Sequence, residues 1–261
     1  MSDWPVGIST GCFFKTGIFE CLDPLVKGGF TMLEICSSPA HLDYHDTESV
    51  RKVAKACEDR GIECYSFHAP FADHIDITSP DPHMRRNSLH EIQRAPEAAA
   101  ILQVRHFVIH PGPEKSFQVS PGERLDRMRN AADVLSEVAE YCNRIKVGIV
   151  LENMLPHLFF GNVPDMLWIM GAIRGVKVGT CVDTGHAMLS GGLYTVTYKL
   201  SGHLQLVHAS DTNGTYDDHL PPGEGSIDWF RWLLTLARMG FAGGIIMEIA
   251  GGRPIEETML R

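Results

Sequence analysis

The chain has 261 residues, 44% of them hydrophobic, and at this size folding removes roughly 70–75% of the surface from water, so no metal or disulfide is needed merely to hold it together. A formal charge of −9 opposes general attraction to nucleic-acid phosphates, and seven scattered cysteines without a C-x-x-C pair read as reduced core residues rather than a disulfide framework. No run approaches the ~20 apolar residues of a membrane span, and the amino terminus MSDWPVG lacks the basic and apolar regions of a signal peptide, so a cytoplasmic protein is expected.

Residues 6–8 read as a first strand, followed by a loop from Gly11 to Gly17. A helix around 19–27 stops at Gly28-Gly29, and 31–35 form the second strand. Asp46 or Thr47 caps a helix whose Val50, Val53, Ala54 and Cys57 recur at helical spacing, and Gly61 closes it. The third strand, 63–67, runs into His68. After a long proline-marked loop, a helix from about 84 to 102 is expected to kink or break at Pro96. The fourth strand, 106–109, ends in His110-Pro111-Gly112. Ser120-Pro121-Gly122-Glu123 is a capping box that opens a long helix with Met128, Ala131, Leu135, Val138 and Cys142 on its buried stripe. Strands at 146–151 and 177–182 flank a helix near 163–170, and the poorly patterned stretch 188–201 holds another. Residues 204–207 form the seventh strand, Ser226 is placed to N-cap a helix beginning near Ile227, and 243–247 form the eighth strand before a short closing helix.

Eight strands separated by helical patterns, with no hairpin signal, imply parallel strands joined by helical crossovers. At about 33 residues per unit, the expected fold is α/β, a single-domain (β/α)8 TIM barrel over 1–261. An open doubly wound sheet is the runner-up, weakened by the lack of a G-x-G-x-x-G after the first strand.

Glu34, His68, His110, Glu152, Asp183, His208 and Glu248 all stand at or near predicted strand ends. In a barrel these ends converge on one rim, where active sites lie. Glu152 and Glu248 follow apolar runs, and an unpaired carboxylate there is costly to desolvate, which asks for a cationic partner. Asp183 and His186 lie three apart on a turn into a helix, a good ligand spacing but weak alone. Asp217 and His219, in an acidic glycine-broken loop, would by themselves read as a solvated segment. Imidazole and carboxylate gathered at one rim suit zinc or manganese. Glu34 stands outside the metal set, tied to backbone or substrate, and His106 is read as structural or as lying behind the ligands.

In the order and combination of these motifs the chain resembles the xylose isomerase-like TIM-barrel superfamily, the sugar phosphate isomerase/epimerase family that also contains endonuclease IV. For the single-metal isomerases, the resemblance implies Glu152, Asp183, His208 and Glu248 around one ion. For the endonuclease IV type it adds His68, His110, His186, Asp217 and His219, with Glu152 bridging two ions and a third ion on His186, Asp217 and His219. Three departures accompany it, one being that the Thr-Ala-Gly-rich loop that DNA-acting members carry after LEN is here Met154-Leu155-Pro156-His157. HAPFAD supplies only Phe71 and Ala72 where DNA-acting members carry a wedging loop, and the segment from Asp211 to Gly214 lacks the arginine usual in ketose epimerases.

Nine ligands exceed what one ion uses, so the leading expectation is a metal-dependent phosphoesterase acting on a small sugar- or polyol-phosphate. The alternative is a sugar (phosphate) isomerase or epimerase with Glu152 and Glu248 as acid and base; a non-catalytic binding protein on the same barrel ranks third. The expected cofactors are one to three Zn or Mn ions per chain. Glu34, Phe71 and Asn213 are expected to touch a small-molecule substrate, a phosphorylated carbohydrate. Neither nucleic acid nor membrane is an expected partner, and a homodimer is left open.

Overall fold

Strand and helix alternate as the apolar periodicity requires through residues 3–251, the residues described in the computed structural model. The strands are β1 (Val6–Ser9), β2 (Met32–Cys36), β3 (Glu63–His68), β4 (His106–Ile109), β5 (Gly148–Glu152), β6 (Gly179–Asp183), β7 (Leu204–Ala209) and β8 (Gly244–Met247). All pair in parallel with their sequence neighbours, and β8 pairs with β1, so the sheet is a closed eight-stranded barrel. The crossovers are α1 (Ile18–Lys27), α2 (Thr47–Glu58), α3 (Pro82–Ile101), α4 (Pro121–Arg144), α5 (Val163–Ala172), the pair α6 (Thr184–Leu189) and α7 (Leu193–Leu200), and α8 (Trp229–Arg238). Among the described residues no helix is long and apolar enough to cross a membrane.

Helix starts follow local chemistry. Asp46 accepts from the Glu48 N–H and Ser120 from the Glu123 N–H, as the capping signals predict. Three details differ from the sequence reading. Pro96 lies inside α3 without ending it, at the loss of one intrahelical hydrogen bond. Lys146 is not strand: its φ of 63° and the Val147 N–H to Cys142 O bond finish α4, so β5 starts only at Gly148. Ser226 does not cap α8; its hydroxyl donates to the Thr212 carbonyl, and Asp228 caps instead by accepting from the Arg231 N–H. The stretch 188–201 is cut into α6 and α7 by Gly191 and Gly192, both with φ near 105°. The expected closing helix lies outside the described residues.

Inside the barrel, Met32, Tyr65, Val108, Val150, Cys181, Leu206 and Ile246 form one buried apolar layer. Side chains two residues apart on a strand share a face. The next inward positions above this layer are therefore Glu34, His110, Glu152, Asp183, His208 and Glu248, at the strands' carboxyl ends. On β3 the step from Tyr65 to His68 is three, because pairing with β2 passes from Leu33↔Cys64 to Glu34↔Ser66 with one extra residue, Tyr65, between.

Candidate metal centre

Three groups of donor atoms gather at this rim, each within 4.8 Å of one another: His68, His110 and Glu152; Glu152, Asp183, His208 and Glu248; and His186, Asp217 and His219. That is close to the ~4.2 Å spanned by two metal–ligand bonds of ~2.1 Å. All nine sequence-derived candidates are included, and Glu152 belongs to two groups.

The tautomers of the histidines reveal the chemistry of these groups. His68 Nδ1 donates to the Ala69 carbonyl (3.0 Å), His186 Nδ1 to the Asn153 carbonyl (2.9 Å) and His219 Nδ1 to the Glu248 carbonyl (2.9 Å). A carbonyl only accepts, so those nitrogens carry the hydrogen. Their Nε2 atoms then aim lone pairs at carboxylates: His68 at Glu152 (3.2 Å), and His186 and His219 at Asp217 (3.3 and 3.0 Å). His208 is turned the other way, with Nε2 on Glu34 (3.0 Å) and Nδ1 2.9 Å from Glu248 Oε2 and 3.3 Å from Glu152 Oε2. His208 Nδ1, Glu248 Oε2 and Asp183 Oδ2 are buried without any hydrogen-bond partner. Lone pairs facing carboxylates at these distances repel unless a proton or a metal cation lies between them, and the mixed nitrogen and oxygen donors fit an ion of the zinc or manganese class.

Without an ion, protons take that place. Burial works against a charge on His186 and His219, but Asp183 and Asp217 beside His186, and Asp217 and Glu248 beside His219, outweigh it and carry both up to about 10. Burial raises Glu248, yet His208 holds it down at about 2. Glu152 lies well below the carboxylate range, its burial overcome by His208 and His110. Burial pushes Asp183 up to about 6.

The loops that carry the candidate ligands are fixed from behind. Asp211, fully buried, accepts from the N–H groups of Thr212, Gly223 and Ile227 and from Trp229 Nε1, which pins the β7–α8 loop bearing Asp217 and His219. A Cβ at Gly225 would lie 2.2 Å from Asp211 Oδ1, so only glycine fits there. Asn153 brackets Asp183, accepting from its N–H (2.8 Å) and donating to its carbonyl (3.2 Å).

The three expected substrate contacts fare differently. Phe71 lies at the site, its ring 5.2 and 5.3 Å from those of His68 and His110. Glu34 is fully buried, turned onto His208 and accepting from Ser66 Oγ (2.8 Å), so it orients the His208 ring rather than facing a cavity. Asn213 is exposed on the β7–α8 loop, its backbone N–H bonded to Asp218. His106 is at the opposite end of the barrel, against Tyr65 and lining a cavity at the strands' amino ends. Sequence reasoning missed Glu114, whose carboxylate is 2.6 Å from His110 Nδ1; its four-residue spacing from His110 was the available signal. It also missed a cavity of about 680 Å³ that opens beside His68, His219 and Glu248 and is walled by residues following β1, β2, β3 and β8.

Known proteins share this arrangement of chain. A family model described as xylose isomerase-like TIM barrel matches residues 22–260. An uncharacterised protein of Methanocaldococcus jannaschii is 30% identical over 94% of this chain and 84% of its own length. A probable endonuclease 4 of Persephonella marina is 24% identical over 77% of this chain and 75% of its own. Among solved structures, a D-tagatose 3-epimerase-like protein superposes with a TM-score of 0.85 at 25% identity, covering 98% of this chain and 94% of that one. A neighbour at 19% identity and a TM-score of 0.81, covering 98% of this chain and 94% of that one, shares the fold and was solved with a bound zinc atom.

Proposed function

The chain belongs to the family of xylose isomerase-like TIM barrels, and from that premise we propose that it is a divalent-metal-dependent enzyme that isomerises or epimerises a small sugar-like substrate. One observation carries this reading. Of the group Glu152, Asp183, His208 and Glu248, Glu248 alone lines the cavity, whose volume of about 680 Å³ is of small-molecule size. The likeness to a D-tagatose 3-epimerase-like protein supports it as well.

When bound, a divalent ion at this group would supply Lewis acidity toward the oxygens of a hydroxy-ketone. Asp183 and His208 would hold it, with Glu34 fixing the His208 ring. Glu248, the carboxylate of the group that reaches the cavity, is suited to take the proton from the carbon beside the carbonyl. Glu152, the second carboxylate expected from the sequence, lies under His68 and His110 away from the cavity wall and would help Asp183 and His208 hold the ion, so Glu248 or solvent in the cavity returns the proton. Incubation of the metal-loaded protein with ketohexoses in deuterated water tests this. Deuterium should enter the carbon next to the carbonyl, and Glu248→Gln should abolish the exchange.

A second reading, phosphoester hydrolysis, rests on the third group, His186, Asp217 and His219, for which isomerisation has no use. It was the leading expectation from the sequence and yields to the first because the epimerase-like structure is the better-covered named likeness. Two or three ions per chain with phosphate release from sugar phosphates would reinstate it; one ion with carbon-bound exchange would exclude it.

A further inference from the structure

The cavity beside Glu248 has a wall unlike the polar rim behind it. Phe14 and Phe71 stand at it 42% and 52% exposed, and Pro39, Ile75 and Ile249 also line it. Its polar lining includes Ser37, Tyr44 and Glu91, together with His68, His74 and His219. Glu91 is engaged there: its Oε1 accepts from the Tyr44 hydroxyl and faces His45 Nε2 at 2.8 Å. Among the described residues lining the cavity there is no lysine or arginine, and the carboxylates on its wall are Glu91 and Glu248. Lys15, whose ammonium is 5.3 Å from the Phe14 ring centre, is not part of the wall.

We propose that the substrate is an uncharged sugar derivative bearing an apolar arm, the polyhydroxy carbonyl end at Glu248 and the arm along Phe14, Ile75 and Phe71, and that a phosphorylated sugar is discriminated against. The proposal rests on the isomerase reading for its chemistry but not for its binding contacts. Discrimination works from both sides. An alkyl or aryl group removes the two exposed rings from water, which favours binding in proportion to the area covered. A phosphate arm would be stripped of water beside Glu91, and the described lining residues offer it no lysine or arginine, while His68 and His219 on the wall are turned to the metal groups; this is the arrangement by which sites reject a wrong partner. The space also exceeds the needs of a bare ketohexose, since about 300–1,000 Å³ is the range of pockets that enclose drug-sized ligands. The sequence-based expectation of a phosphorylated carbohydrate is the one this wall argues against.

Calorimetric titration of the manganese-loaded protein at pH 8, where ordinary histidines are neutral, compares three probes: D-fructose, 6-O-benzyl-D-fructose and fructose 6-phosphate. The benzyl ether should bind at least tenfold more tightly than fructose, and the phosphate at least tenfold more weakly. Phe14→Ala, which changes an exposed ring and leaves the donor groups alone, should erase most of the benzyl advantage while fructose binding holds; Phe14→Leu should restore part of it. Phosphate binding equal to or tighter than that of fructose, no gain from the benzyl group, or no binding by any of the three overturns the proposal. Deuterium exchange on the same samples keeps the two ideas apart. The expected binding order without exchange defeats the isomerase reading alone, whereas exchange with a preference for the phosphate defeats this inference alone.

Discussion

Replacing Glu34 by Gln removes one negative charge from a pair in which both partners, Glu34 and His208, have no solvent exposure. The substitution keeps the shape, and the amide oxygen can still accept from Ser66 Oγ and from His208 Nε2. What changes is the charge behind the imidazole. A carboxylate on the far nitrogen raises the basicity of a ligand histidine and fixes its tautomer, and loss of such a partner weakens metal binding about 10–100-fold, or about 1.4–2.7 kcal/mol. Competition between the protein and a chromophoric chelator for zinc or manganese measures this directly, with near-ultraviolet circular dichroism to show that the barrel is intact. A twofold change or less in affinity, with unchanged dichroism, would refute the assignment of His208 Nδ1 as a ligand atom oriented by Glu34.

His219→Ala should lower metal content by about one equivalent per chain if the His186, Asp217 and His219 group holds an ion, and elemental analysis should show no change if it holds none. In chelator, the metal-free protein should lose stability as pH rises: His186 and His219, ordinarily near 6.5 and carried up to about 10, contribute fully below 6.5 and lose that contribution through about 10. Urea titrations at pH 6, 8 and 9.5 should show this decline, and metal-loaded protein should show a flatter profile. Ser120→Ala, which deletes the cap on the Glu123 N–H, should cost about 1 kcal/mol and lower the thermal midpoint without altering metal affinity. Trp232→Ala empties a fully buried site and breaks the bond from its indole N–H to Thr197, so chemical denaturation should register a loss of about 3–5 kcal/mol.

The barrel is legible in the sequence because strand and helix periods differ, and the ligand ring because each strand ends on a polar residue after an apolar run. Glu152 and Asp183 can be found this way by anyone who trusts the alternation. Glu34 shows the limit: its position on the rim is visible, but its partner, His208, is 174 residues away, and nothing in MLEICS says that the carboxylate turns inward to it. The apolar cavity was invisible for a similar reason. Phe14, Pro39, Phe71 and Ile249 lie in four separate loops with no shared period, and only closure of the barrel sets them side by side. Ser226 and Lys146 misled because a competing acceptor, the Thr212 carbonyl, and a left-handed turn overrode local propensity.

The extra residue at Tyr65 makes β3 a strand whose two faces change places partway along. Facing direction in a barrel is a matter of parity, so inserting or deleting a single residue inside any strand exchanges the lining of the tube for its outer coat beyond that point. On β3 the bulge absorbs that change: without Tyr65 the pairs Leu33↔Cys64 and Glu34↔Ser66 would follow one another directly, with His68 still at the rim, whereas deleting Phe67 would turn His68 toward the helices. A lineage built on this barrel can therefore change length freely only in its loops. Its substrates can drift as those loops are rewritten, while the ring of imidazoles and carboxylates stays in phase.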